Sequence, residues 1–82
     1  MAKLRRLNGH EIIKILESLG FEIRRIKGSH HHMRLKTEHH TCVTSVPVHG
    51  KQALATGTLK SIYRQVARCI DEDTLLSLFY TD

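Results

Sequence analysis

Between Phe21 and Pro47 the chain carries three runs of strand-forming residues, separated only by Lys27-Gly28-Ser29 and by residues 37–40. Interruptions this short return each strand beside the one before it, so the middle of the chain reads as three antiparallel strands. In the second run Met33 and Leu35 share one parity, while His32, Arg34 and Lys36 share the other. That is the pattern of a strand with one face on a core and one face in water. By the same parity His30 joins the polar face and His31 the apolar one. The third run, Thr41-Cys42-Val43-Thr44-Ser45-Val46, ends at Pro47, which has no N–H to give to a ladder.

Helical signals flank this β-rich centre. Asn8 followed by Glu11 is a capping pair, and Ile12, Ile15, Leu16 and Leu19 recur at the spacing of one helical face before Gly20 stops the run. Residues 48–57 read as a surface loop. Thr58 then reads as the cap of a second helix with a buried stripe of Leu59, Ile62, Val66 and Ile70. Lys60, Arg64 and Arg68 stack three cations along another side of that helix. Asp71 caps a short last helix containing Leu75, Leu76, Leu78 and Phe79. The expected fold class is therefore α+β, in the order α-β-β-β-α. Both longer helices cover one face of the three-stranded antiparallel sheet, and a short C-terminal helix follows. The other face of the sheet is left open, and it carries His32, Arg34 and Lys36, with His30 at its edge.

At 82 residues the chain is one domain, 1–82, and its 13 Lys and Arg against 8 Asp and Glu give a formal charge of +5. Clustered cations gain affinity by releasing counterions from phosphates, so a nucleic acid is the first expected partner and an acidic protein the second. No run of 18 apolar residues is present and the first residues lack a signal peptide's apolar stretch, so the cytoplasm is the expected compartment, with no membrane contact. Cys42 and Cys69 lie 27 positions apart with no CxxC spacing, and both are expected as reduced thiols.

Lys27-Gly28-Ser29-His30-His31-His32 is a basic glycine turn running directly into histidines. An imidazole serves as both base and acid near neutral pH, and RNA cleavage through the 2′-hydroxyl needs those two proton transfers and no metal. Gly28 and Ser29 offer backbone amides to a phosphate, and Lys27 and Arg34 offer charge. A second arrangement is a structural metal site, with His30, His31 and His32 facing His39, His40 and Cys42 across a hairpin. It is weakened because adjacent strand residues point to opposite faces. A leucine-rich tail of Leu75, Leu76 and Phe79 is read as core, or alternatively as an anchor for a protein partner.

Four segments in order resemble the HicA family of toxin–antitoxin toxins, which act as mRNA interferases. They are Leu19-Gly20-Phe21, Lys27-Gly28-Ser29-His30-His31, Val46-Pro47-Val48-His49-Gly50 and Gly57-Thr58-Leu59-Lys60-Ser61-Ile62-Tyr63-Arg64-Gln65. The resemblance implies a fold like a double-stranded-RNA-binding domain, cleavage of mRNA without a cofactor, and a HicB-type antitoxin as partner. It places the catalytic histidine on His30, or one step later on His31, and strand parity favours His30. His32 is the next candidate along the same face. The RNA-binding residues expected from the combined reading are Lys27, Gly28, Ser29, Arg34, Lys36, Lys60 and Arg64. A non-catalytic RNA-binding module on the same fold is the alternative. Two places depart from the family's common pattern: residues 37–40 replace a turn bearing proline and glycine, and Ser45 stands where a β-branched residue is frequent.

Overall fold

The computed structural model describes residues 2–81. In chain order the elements are β1 (Lys3–Leu4), α1 (Gly9–Ser18), β2 (Glu22–Lys27), β3 (His30–Lys36), β4 (Thr41–Pro47), α2 (Thr56–Val66), α3 (Glu72–Phe79) and β5 (Tyr80–Thr81). Strands β2, β3 and β4 form one antiparallel sheet in that spatial order. Helices α1 and α2 pack on one of its faces, both chiefly against β4. This is the α+β, double-stranded-RNA-binding-domain-like architecture expected from the pattern of elements.

The capping pair starts α1 as expected. The Asn8 side chain accepts from the Glu11 N–H at 2.9 Å, and the Asn8 N–H donates to the Glu11 carboxylate at 2.9 Å. A cap of this kind contributes about 1 kcal/mol. Ile12 and Leu16 of α1 are fully buried, as are Met33 of β3, Val46 of β4, and Leu59, Ile62 and Val66 of α2. The strand alternation therefore selects the core face correctly. Thr44, the one buried polar residue among them, donates its hydroxyl to Gln65 of α2 at 2.6 Å, which ties the helix to the β4 edge.

Gly9 sets how closely α1 approaches the end of β4. A Cβ at this position would strike the Pro47 carbonyl oxygen and come within 2.9 Å of the Val48 Cα. Those are backbone atoms and have no rotamer by which to yield. Gly9→Ala is expected to cost about 2 kcal/mol net, because overpacking of this kind outweighs the ~1 kcal/mol that alanine gains in a helix. Urea unfolding checks this: the midpoint should fall at an unchanged slope.

Several sequence expectations are corrected here. Cys42 and Cys69, expected as reduced thiols, are joined in a disulfide, with Cα atoms 6.3 Å apart. Cys42 lies on the core face of β4, and α2 runs across that face so that the turn after it brings Cys69 overhead. Linear spacing carries no trace of that meeting. Helix α2 begins at Thr56, with Ala55 as an N-cap that makes no side-chain hydrogen bond, so Thr58 lies inside the first turn and is not the cap. The helix ends at Val66, which leaves Arg68 and Ile70 in the turn beyond it. The three-cation helix stripe is thus two residues long, Lys60 and Arg64. Leu75 and Phe79 of α3 are fully buried, and only Leu76 of the proposed anchor is exposed. Asp71 caps α3 as expected, accepting from the Thr74 N–H at 3.0 Å. That bond, with a second from the Thr74 hydroxyl, holds the Asp71 carboxyl below its ordinary range.

The small sheet of β1 and β5 had no counterpart in the sequence reading. Lys3 pairs with Thr81 and Leu4 with Tyr80, and the Arg5 N–H donates to the Phe79 carbonyl at 2.8 Å. Two-residue strands have no periodicity to read.

Candidate active site on the open sheet face

The register of the sheet sets side chains side by side on its helix-free face. Across the three strands the rows are Lys27, His30 and Pro47, then Arg25, His32 and Ser45, then Glu22, Arg34 and Val43, with Lys36 beside Thr41 at the far end. Cross-strand neighbours in such rows have Cβ atoms about 5 Å apart. The pairing of β2 shifts between Ile23 and Arg25, a bulge that leaves Arg24 as the extra residue. The imperfect alternation of that run has this cause. Four cations, Arg25, Lys27, Arg34 and Lys36, surround two histidines in these rows, with Glu22 as the single acid among the described residues there.

The turn before His30 is a two-residue hairpin loop in which Gly28 has φ +59°. Glycine at the first central position is what the II′ hairpin turn asks for. The Ser29 carbonyl then accepts from the Val48 N–H at 2.7 Å, so the turn is tied to the end of β4. His30 itself is exposed. Its Nδ1 lies 3.4 Å from the Ser45 hydroxyl, at the long end of hydrogen-bond range. A serine hydroxyl both donates and accepts, so this contact suits either neutral imidazole tautomer, and the one with its proton on Nδ1 leaves Nε2 free as a base. Ser45 escaped sequence reasoning as a site residue. The register places it opposite His32 and diagonal to His30, and register is not visible in the sequence.

His31 takes the other side of the strand. It is half-buried between Ile26 and Val46 in register, and its buried Nδ1 has no hydrogen-bond partner among the described residues. His32 is half-buried on the open face, beside a shallow depression of about 250 Å³ lined by His32, Val43, Thr44, Ser45 and Gln65. A site this shallow suits an extended polymer better than an enclosed small molecule.

The structure brings Lys27, Gly28, Ser29, His30, His32, Arg34 and Lys36 onto one surface. Lys60 and Arg64 are exposed on α2, whose buried stripe faces the opposite side of the sheet, so they lie outside this cluster. Tyr63, in the same motif, packs edge-on against Phe79 and Tyr80 at 5.5 and 5.7 Å. Burial first, and then the charges of Glu72 and Tyr80, push its phenol above the ordinary range. The metal arrangement is not assembled. Cys42 is committed to the disulfide, and His39 and His40 sit in the 37–40 loop, at the end of β3 away from His30. Among the described residues no three His, Cys, Asp or Glu side chains are grouped to hold a metal ion. The 37–40 loop closes without proline or glycine, because the Thr37 N–H donates to the His40 carbonyl at 2.8 Å and the Thr37 hydroxyl accepts from the His40 N–H at 3.0 Å.

Among the described residues no helix is long and apolar enough to cross a membrane. No curated protein and no solved structure matches the chain. A family model described as the HicA toxin of bacterial toxin–antitoxin pairs matches residues 9–67, which runs from the first residue of α1 to just past α2 and includes the whole sheet. With the glycine turn, the histidine strand and the expected fold all inside that match, the chain belongs to the HicA toxin family, as the toxin of a toxin–antitoxin pair.

Proposed function

We propose that this toxin is an endoribonuclease that cleaves mRNA in the cytoplasm by histidine acid–base chemistry, without a metal, and that a HicB-type antitoxin restrains it. The observation that carries this reading is the placement of His30 and His32, two residues apart on one strand, on an open face lined by four cations. Residues i and i+2 of a strand lie about 6–7 Å apart, a span that one phosphodiester bridges.

In this reading Nε2 of His30 takes the proton of the ribose 2′-hydroxyl as that oxygen attacks the adjacent phosphorus. The P–O5′ bond breaks, and His32 gives its proton to the departing 5′-oxygen. The products are a 2′,3′-cyclic phosphate and a 5′-hydroxyl. Lys27, Arg34 and the backbone amides of the Gly28-Ser29 turn offset the charge that builds on the phosphoryl oxygens. Lys36 holds the phosphate that follows. Lys60 and Arg64, on the far layer, serve only if the strand wraps the molecule. Catalysis with one base and one acid predicts a bell-shaped dependence of cleavage on pH.

The test uses paired RNA oligonucleotides, one with a free 2′-hydroxyl at the cleaved position and one carrying a 2′-O-methyl group there. The free form should be cut in EDTA to a cyclic phosphate, and the methylated form should stay intact. Equal cutting of both, or binding without scission of either, would overturn the reading.

A further inference from the structure

The charged sheet face leaves a neighbouring surface unaccounted for, the outer edge of β2. All six residues of this strand are exposed. Among the described residues its backbone is hydrogen-bonded to β3 and to nothing on its other side. Ile23 and Ile26, in register with Met33 and His31, point to the helix-bearing side of the sheet, yet they are 38% and 57% exposed, because among the described residues no helix reaches over this edge. The opposite edge differs: on β4 the residues of that same side, Cys42, Thr44 and Val46, are buried.

We propose that the β2 edge is the docking site of the antitoxin, which adds an extended acidic segment as a fourth strand beside Glu22–Lys27. Strand addition satisfies the free backbone groups of an edge and reads alternate side chains on its two faces. Here the two faces differ. One offers Ile23 and Ile26 to apolar side chains, and the other offers Arg25 and Lys27 to carboxylates, with Arg24 adding a third cation at the bulge. A second copy of this chain is the weaker occupant: two antiparallel β2 strands paired about their centre match Glu22 with Lys27 and Ile23 with Ile26, but they set Arg24 against Arg25 twice and leave the cations Arg25 and Lys27 in excess over Glu22. RNA is disfavoured because its backbone offers neither a ladder partner nor an apolar contact for Ile23 and Ile26. Carboxylates on the charged side would sit on Lys27, directly beside His30 in register, and so displace a phosphate from the catalytic row. The docking argument rests on membership of a toxin–antitoxin family; only the blocking of His30 rests on the ribonuclease reading.

Hydrogen–deuterium exchange on the toxin alone and in complex with the antitoxin of its pair tests the proposal. Amides of residues 22–27 should exchange at least tenfold more slowly in the complex. Ile26→Asp and Arg24→Glu should each weaken the complex at least tenfold while the free toxin keeps its melting temperature and its action on RNA. Unchanged exchange in β2, or wild-type affinity of both variants, would overturn it. So would a toxin dimer that Ile26→Asp dissociates, or protection of β2 by RNA alone. A wild-type toxin that leaves RNA uncut defeats the ribonuclease reading and leaves the exchange result standing.

Discussion

Replacing His30 with alanine is expected to lower kcat for RNA cleavage by about 10²–10⁴-fold, the range typical of a lost acid–base group, with little change in RNA affinity. At 1.36 kcal/mol per decade this is roughly 3–5 kcal/mol of transition-state stabilisation. Affinity should hold because Arg25, Lys27, Arg34 and Lys36 remain in place to meet phosphates. Stability should hold as well, since His30 is exposed and its side chain's one hydrogen-bond contact among the described residues, to Ser45, is long at 3.4 Å. His31→Ala is the comparison that separates the two imidazoles. His31 is half-buried on the core side, so its truncation should lower the melting temperature by a few degrees and leave cleavage by the folded fraction intact. Single-turnover cleavage and melting curves on both variants check this, and cleavage that survives in His30→Ala but fails in His31→Ala would reverse the assignment.

The contrast between the two histidines was readable in the sequence because strand parity is strict. Met33 and Leu35 fix one face, and everything two residues away follows. The capping box at Asn8, the core positions Ile12, Leu16, Leu59, Ile62 and Val66, and the glycine turn were legible for the same reason, since each is a short-range pattern with one structural solution. What stayed hidden depends on register or on packing between distant elements. Ser45 meets His30 only because β4 pairs with β3 in one of several possible alignments. The start of α2 is hidden because the local signal is a side-chain cap at Thr58 and the helix uses none. The exposure of Ile23 and Ile26 depends on where α1 and α2 stop, a fact of helix placement that the hydrophobic pattern of β2 does not contain.

The disulfide is the largest of these hidden features, and opening it should have the second large effect. It joins β4 to the turn after α2 and closes a loop of 27 positions. In the chain-entropy account, a loop of this size restricts the unfolded state by about 3.5 kcal/mol. A domain of this length shifts by about 4–8 °C per kcal/mol, so the oxidised form should melt roughly 14–28 °C above the reduced one. A small core makes the cross-link matter more, because an 82-residue chain has little stability in reserve. The dithiol is the form expected in a reducing cytoplasm, where two cellular thiols take up the bridge as their own disulfide and leave Cys42 and Cys69 as thiols. Melting of the wild type with and without a phosphine reductant measures the difference, and Cys42→Ala/Cys69→Ala supplies the control. Reductant should bring the wild type down to about the melting temperature of the double variant and leave the variant itself unmoved. Since Cys42 lies beneath the sheet on the helix side while His30 lies on the open face, cleavage below the reduced protein's melting point should not depend on the bridge. A wild type whose melting temperature ignores the reductant would show that the two thiols are not joined in solution.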